Sequence, residues 1–357
     1  MSKRVLSIVF AIAFVLMSLA GCGIEQSSVA PAPASSAAPA ASSPAAPAAK
    51  DAQVLKISFG SSDNHPITAY LKLFEQEFEK ATEGRYDVQI YTSATLGDDL
   101  KATEAVKAGQ LDAVVTTAAP VTGIIPELFI FDLPFLFKST EEADKVLLDT
   151  EFSEWLDAKM YDKNIINLAW LENGFRMLTT SDTEVHTPAD VKGLKIRTME
   201  NQMHLAAWKA LGANPTPMPF SEVFTALQQH VIDGQENPIP TIYDAKFQEV
   251  QSYITLTGHV YSPYIFLWSK KLADKMPAED VALLEQCAKD LRLKSRELTR
   301  DAATKNLEAM KAEKINVIEL TDDEKQAFKD AVQPVWEEFT PTITQEAIDM
   351  FNAQLAK

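Results

Sequence analysis

Beyond residue 54 the chain alternates between two hydrophobic periods. Leu55, Ile57 and Phe59 alternate with Lys56 and Ser58, the pattern of a half-buried strand. Ile67, Leu71, Phe74 and Phe78 then recur at the spacing of an amphipathic helix. Tyr86, Val88 and Ile90 return to period two. Asp98 and Asp99 open a helix to about Ala108, where acidic side chains suit the positive end of its dipole. Leu111 to Thr117 is a short apolar strand. This β-α-β-α-β order predicts an α/β domain built on a mainly parallel sheet.

The alternation recurs without an internal sequence repeat. Asn164 to Leu171 and Gly193 to Thr198 read as strands, and Asn201 to Leu211 and Ser221 to Val231 as helices. The two helices are separated by the turn-rich Gly212-Ala213-Asn214-Pro215-Thr216-Pro217. Tyr253 to Thr257 and Tyr264 to Trp268 have the apolar character of strands covered on both faces. A helical pattern runs from about Ala278 to Lys314, longer than most globular helices. Thr321 and Glu324 form a capping box for a further helix, which Pro334 is expected to kink or end. Two α/β lobes joined by crossing segments is the architecture this order suggests.

The N-terminus reads as an export address. Lys3 and Arg4 precede an apolar run from Val5 to Leu16, too short for a confident spanning helix and followed by small residues. An uncleaved membrane anchor is the competing interpretation. Leu19-Ala20-Gly21-Cys22 resembles a bacterial lipobox, which implies a signal peptide over 1–21 and lipidation of Cys22. From Ser27 to Ala49 every residue except Val29 is Ala, Pro or Ser. Repeated proline disfavours an Ala-rich helix there, so residues 22–53 read as an extended tether. At about 3 Å per residue the Ala/Pro/Ser tract reaches up to roughly 70 Å.

The 357 residues suit two domains of common size. A formal charge of −17 argues against nucleic acid as the main partner, because a polyphosphate needs a basic face. Loss of Lys3 and Arg4 with the signal makes the exported chain more acidic still. Such a chain binds a small anion only where a few cations are concentrated. Cys22 and Cys287 are the two cysteines, and Cys287 falls in a helical pattern as a buried small hydrophobe.

Catalytic motifs are absent. The five histidines, at 65, 186, 204, 230 and 259, form no metal-binding doublet. No P-loop, strand-linked dinucleotide glycine pattern or nucleophile elbow is present. No metal or cofactor is expected. Asp233-Gly234-Gln235-Glu236-Asn237 is first a turn signal and lacks the spacing of a calcium loop. More informative are Arg176, just after an apolar strand, and Arg197, which ends Leu194-Lys195-Ile196-Arg197. A guanidinium at a strand mouth can hold a carboxylate through two parallel hydrogen bonds. For an arbitrary arginine a surface or salt-bridging role is the more common one.

Several blocks in order identify a family. Gly193-Leu-Lys-Ile-Arg197, Leu211-Gly-Ala-Asn-Pro-Thr-Pro-Met-Pro-Phe-Ser-Glu222, Ala226-Leu-Gln-Gln229, Asp233-Gly-Gln-Glu-Asn-Pro238 and Phe247-Gln-Glu-Val-Gln251 resemble the DctP-type solute-binding proteins of tripartite ATP-independent periplasmic (TRAP) transporters. Leu96-Gly97-Asp98 and Asn173-Gly174-Phe175-Arg176 match weaker motifs, and the resemblance spans about residues 54 to 340. It implies a two-lobed periplasmic solute-binding fold with a central cleft and a long connecting helix. Lobe 1 would comprise 54–173 plus about 263–303, and lobe 2 174–262 plus about 304–357. It further implies a periplasmic receptor, not an enzyme, that closes on a small organic acid anion and delivers it to TRAP membrane subunits. The lipid signal would anchor this receptor to the membrane.

Residue by residue, the resemblance assigns Arg197 and Asn237 to the substrate carboxylate, Arg176 to a second cationic position and Phe220 to an apolar wall. Asn64 and His65 fall where the other lobe contributes contacts. Leu100 departs from the Asp-Asp-Arg pattern of sialic-acid-binding members. Glu200, three residues after Arg197, would repel an anion or accept sugar hydroxyls if it faced the cleft. His230 is expected on the lobe surface. A C4-dicarboxylate and a sugar acid both remain open as ligands. The competing functions are a binding lipoprotein of an ATP-driven importer and an exported enzyme acting on carboxylates.

Overall fold

A computed structural model describes residues 52–357. The signal segment, Cys22 and nearly all of the tether lie outside the described residues. The first five elements are β1 (Gln53–Phe59), α1 (Pro66–Ala81), β2 (Tyr86–Tyr91), α2 (Asp99–Ala108) and β3 (Ala113–Thr117). The three strands pair in parallel, as the β-α-β-α-β pattern predicts, and take the order β2-β1-β3. Helix α1 buries Ile67, Leu71, Phe74 and Phe78, the residues that share its apolar face. Phe74 packs edge-on against Phe266 with centroids 5.0 Å apart.

Helices α3 (Thr140–Leu147) and α4 (Glu151–Tyr161) precede β4 (Ile165–Thr180). Then come β5 (Lys195–Thr198), α5 (Gln202–Ala210), β6 (Asn214–Pro217), α6 (Phe220–Gln228), β7 (Gly234–Pro238) and α7 (Ile239–Asp244). The chain closes with β8 (Tyr253–Thr255), β9 (Tyr261–Ser269), α8 (Lys270–Ala273), α9 (Ala278–Ala312), β10 (Asn316–Ile318), α10 (Asp322–Ile343) and α11 (Gln345–Leu355). The main sheet runs β2-β1-β3-β9-β4-β7-β5-β6, with β8 on β4 and β10 on β8. It is mixed rather than mainly parallel, because β9 runs antiparallel to β3 and β4, and β4 antiparallel to β7 and β8.

Strand β4 joins the two halves of this sheet. Its first part pairs with β9 from Ile165 to Phe175, and its end pairs with β7 and β8 from Arg176 to Thr180. The pattern ending at Leu171 underestimates this strand, because Glu172, Asn173 and Arg176 are buried polar residues rather than a loop. A register shift between Glu172 and Gly174 lets it pass from one half to the other. The expected turn at 214–217 contains β6, an edge strand, where a proline's missing N–H can face outward. The Asp-Gly turn signal is followed at once by β7, whose five residues are all buried.

The long helix α9 spans 35 residues, about 50 Å at 1.5 Å per residue. Its early residues Leu284 and Ala288 join the core around β1–β3, and Met310 near its end joins the core around α6, α7 and β8. It therefore braces both lobes. Cys287 on this helix is half-buried rather than fully buried, packed at the edge of the core around β1–β3. The capping box at Thr321 is present, but α10 continues through Pro334 and Pro341 to Ile343. Packing of Phe328, Val332, Val335 and Phe339 holds that helix despite the lost N–H donors.

Candidate functional site

The C-terminal ends of the parallel strands converge on one cavity, the usual location for a ligand in α/β sheets. One half of the sheet supplies Phe59 ending β1, Gly60 and Ser61 just after it, Asp99 at the start of α2, Thr117 ending β3 and Tyr264 from β9. The other supplies Arg197 from β5, Met199, Phe220 at the start of α6, Asn237 from β7 and Thr241 from α7. The free space between these atoms is ≈ 30 Å³, about the room of one water and far below the roughly 300–1,000 Å³ of small-molecule sites, so the two halves stand close together over the site.

Arg197 is 2% exposed. Its Nε and Nη2 donate to the Met218 carbonyl at 3.1 and 2.7 Å, while its buried Nη1 has no partner. Among the described residues no carboxylate forms an ion pair with this guanidinium. Burial, then the charge of Arg176, pulls its pKa down to about 10, so it remains cationic at neutral pH. Asn237 lies beside it, its Nδ2 donating one hydrogen to Gln235 Oε1 at 2.6 Å and keeping the second free.

Asp99 is the cavity's acidic group. Asp98 caps α2 by accepting from Lys101 N, leaving Asp99 in the first helical turn and at the cavity wall. Burial pushes its pKa up to about 6, against the opposing pull of Arg197. Gly60 makes room for it: a Cβ there would stand 2.9 Å from Asp99 Oδ1. Arg197 and Asp99 thus belong to opposite halves of the protein and line the same space.

Arg176 sits behind the cavity lining, fully buried and clasped by Glu236, with Nη2 donating to Oε1 at 2.9 Å. His259 Nε2 lies 3.1 Å from Glu236 Oε2, and His204 Nδ1 lies 3.8 Å from Oε1. Arg176 and the histidines hold the Glu236 carboxyl well below its usual range despite the opposing effect of burial. His204 also donates to Asp132 at 3.0 Å; burial lowers its basicity, but the carboxylates override this and raise its pKa to about 9. This layer puts Arg176 in an ion pair and leaves Arg197, among the described residues, without one.

The structure brings Arg197, Asn237 and Phe220 together and leaves three other sequence-derived positions outside the lining. Arg176 is committed to Glu236, although its Nη1 has no partner. His65 caps α1 through Nδ1, and its Nε2 meets Thr241 Oγ1 at 3.2 Å. Its ring packs behind Phe59 and Tyr264, which occupy the wall in its place. Asn64 is exposed and borders a different groove, because the turn into α1 carries it away from the cavity. Glu200 and His230 are exposed and do not line the cavity. Asp99, Ser61, Thr117, Thr241 and Tyr264 escaped sequence reasoning. Asp99 carried two signals, its place after Leu96-Gly97-Asp98 and the second Asp of the Asp-Asp-Arg pattern from which Leu100 departs, but helix polarity already accounted for an acid there.

A sequence profile for the bacterial extracellular solute-binding proteins, family 7 (DctP), matches residues 57–342. The chain belongs to this family. Members bind solutes rather than transform them, and the two-lobed fold is theirs. A solute-binding protein of Verminephrobacter eiseniae is 39% identical over 84% of this chain and 88% of the relative. The 2,3-diketo-L-gulonate-binding periplasmic protein YiaO of Escherichia coli is 36% identical over 79% of this chain and 85% of its own length. The sugar acid binding protein DctPAm of Advenella mimigardefordensis, solved with galactonate, superposes with a TM-score of 0.83 at 34% identity. That match covers 86% of this chain and 98% of DctPAm.

Proposed function

We propose that this protein is the extracytoplasmic receptor of a TRAP transporter and captures a polyhydroxylated monocarboxylate, a sugar acid. The carrying observation is a buried arginine, Arg197, that forms no ion pair among the described residues and whose Nη1 has no partner, in the same cavity as a carboxylate from the opposite half, Asp99. The ligand carboxylate supplies the missing charge to Arg197 and accepts the spare hydrogen of Asn237 Nδ2. Asp99 accepts hydroxyl hydrogens, and Ser61, Thr117, Thr241 and Tyr264 offer hydroxyl groups of their own. Phe59 and Phe220 cover carbon faces. Hydrogen bonds to charged groups contribute about 1.5–3 kcal/mol each, so orientation is set at the two charged ends.

Asp99 disfavours a second carboxylate on the ligand, which argues for a sugar acid over a C4-dicarboxylate. The diketogulonate named for YiaO and the galactonate bound by DctPAm have the same character. Both halves contribute ligand contacts, so the ligand stabilises their closed arrangement, the form handed to the membrane subunits. No bond of the ligand changes. A lipid on Cys22 holds the receptor at the membrane through the tether.

Calorimetric titration with galactonate, erythronate, galacturonate, succinate and malate tests the ligand class. Sugar acids should bind at least about tenfold more tightly than either dicarboxylate, a difference of 1.4 kcal/mol. Tighter binding of succinate or malate overturns the assignment. Uptake that persists without the TRAP membrane subunits and stops when an ATPase is lost would transfer the receptor to an ATP-driven importer. Recovery of an altered acid after incubation would make it an enzyme. A mature N-terminal mass lacking a lipidated Cys22 removes the anchor.

A further inference from the structure

A second groove of ≈ 550 Å³ shares no lining residue with the ligand cavity. Its apolar wall includes Phe135, Phe137, Phe175 and Met177. Phe175 and Met177 flank Arg176 on β4, and strand alternation turns them to the face opposite that buried arginine. Phe135 adopts φ 58°, a left-handed conformation uncommon for a bulky residue, and its N–H donates to the His259 carbonyl at 2.7 Å. Its side chain is half-buried, packed against the core on one side and lining the groove on the other, and backbone strain of this kind clusters at binding sites.

Three lysines stand at the rim. Lys325 and Lys329 are one turn apart on α10, and Lys138 faces them from the segment before α3. Among the described residues none of their ammonium groups pairs with a carboxylate. Glu142 accepts only the backbone N–H of Lys138, at 2.7 Å, and Glu324 is occupied by Thr321 and His186. Asp322 is the single acid in the lining. Three lysines against one acid make the rim over this aromatic floor net cationic in a chain of net charge −17.

We propose that this groove is a second ligand site, for an amphipathic carboxylate: an acid whose body is aromatic or branched aliphatic. The volume lies within the small-molecule range, the floor takes an apolar body, and the lysines take the acid. The chemistry is the reverse of the cleft's, where the body of the ligand is read by hydroxyls and a carboxylate. The assignment therefore stands independently of which sugar acid the cleft binds.

The probe is 4-phenylbutyrate, compared with the uncharged 4-phenylbutan-1-ol, followed by the methyl NMR signal of Met177 in the purified protein. Phenylbutyrate is expected to bind with a Kd on the order of 1 mM. The alcohol and the doubly substituted Lys325→Glu, Lys329→Glu protein should each bind about tenfold more weakly. Arg197→Ala should leave phenylbutyrate binding unchanged while emptying the cleft of sugar acid. Equal binding of acid and alcohol reduces the groove to a greasy crevice and overturns the proposal. So does wild-type affinity in the lysine variant, or loss of binding in Arg197→Ala, which would place the probe in the cleft. No binding at all also overturns it and leaves the groove to a protein segment.

Discussion

Replacing Arg197 by alanine tests the central contact. Two of its nitrogens, Nε and Nη2, are spent on the Met218 carbonyl, which fixes the plane of the guanidinium. Nη1 has no partner, and Nη2 retains a second hydrogen, so two parallel bonds to a carboxylate are available. Truncating one partner of a buried hydrogen-bonded charge pair loses about 2–5 kcal/mol, or roughly 30- to several-thousand-fold in Kd. Folding should suffer far less. The substitution leaves the Met218 carbonyl without its donor but also relieves repulsion from Arg176, so unfolding free energy should move by about 1 kcal/mol or less. Arg197→Lys keeps the charge and loses the fork, and should fall between wild type and alanine. Calorimetry with the tightest sugar acid reads the affinity, and urea unfolding of the same preparations reads the fold. An Arg197→Ala protein that binds within about threefold of wild type would refute the reasoning.

The other predictions concern neighbouring groups. Asp99→Asn should weaken sugar-acid binding by about tenfold and improve that of succinate, because it removes a charge while keeping the shape; competition binding reads both. The ionised, part-buried Asp99 destabilises the fold, a penalty absent below pH 3.8 and complete above about 6, so Asp99→Asn should raise Tm at pH 7.5 but not at pH 3.5. His204, raised to about 9, contributes stability that is full below pH 6.5 and lost as pH rises through 9. That contribution is on the order of 3 kcal/mol, and His204→Gln should flatten the urea-midpoint profile over this window. Phe74→Ala should cost about 3–5 kcal/mol by emptying the fully buried space between α1 and β9, with sugar-acid affinity unchanged in the folded fraction.

The elements most legible in the sequence were those with one wet face. The alternation of β1 and the stripe of α1 follow directly from sidedness, and α9 is revealed by its length. The fully buried β3 and β9 were legible as apolar runs, but a buried polar strand left no such trace. Strand β7 consists of Gly-Gln-Glu-Asn-Pro, a composition that speaks for a turn, and it is a strand because Arg176, Thr179 and the histidines answer its polar side chains. The same holds for the site. Arg197 and Asn237 lie in dense family blocks, but no local pattern reveals that Arg176 is taken by an acid 60 residues away. Asp99 acquires its role only when Gly60 and Arg197 are brought opposite it.

The continuity of β4 through Glu172 and Gly174 has a mechanical consequence. A loop between lobes would act as a free pivot, whereas an unbroken ribbon behaves as a leaf spring whose compliance is set at the bulge. Gly174 holds φ 115° there, a conformation closed to other residues without strain. The measured affinity is then the contact energy in the cleft less the flexural energy of closing. Two receptors with identical cavity linings can differ in Kd through strand stiffness alone, since the populated fraction of the closed form scales the apparent affinity. Tuning such a receptor to the concentration of its solute need not touch a single ligand contact.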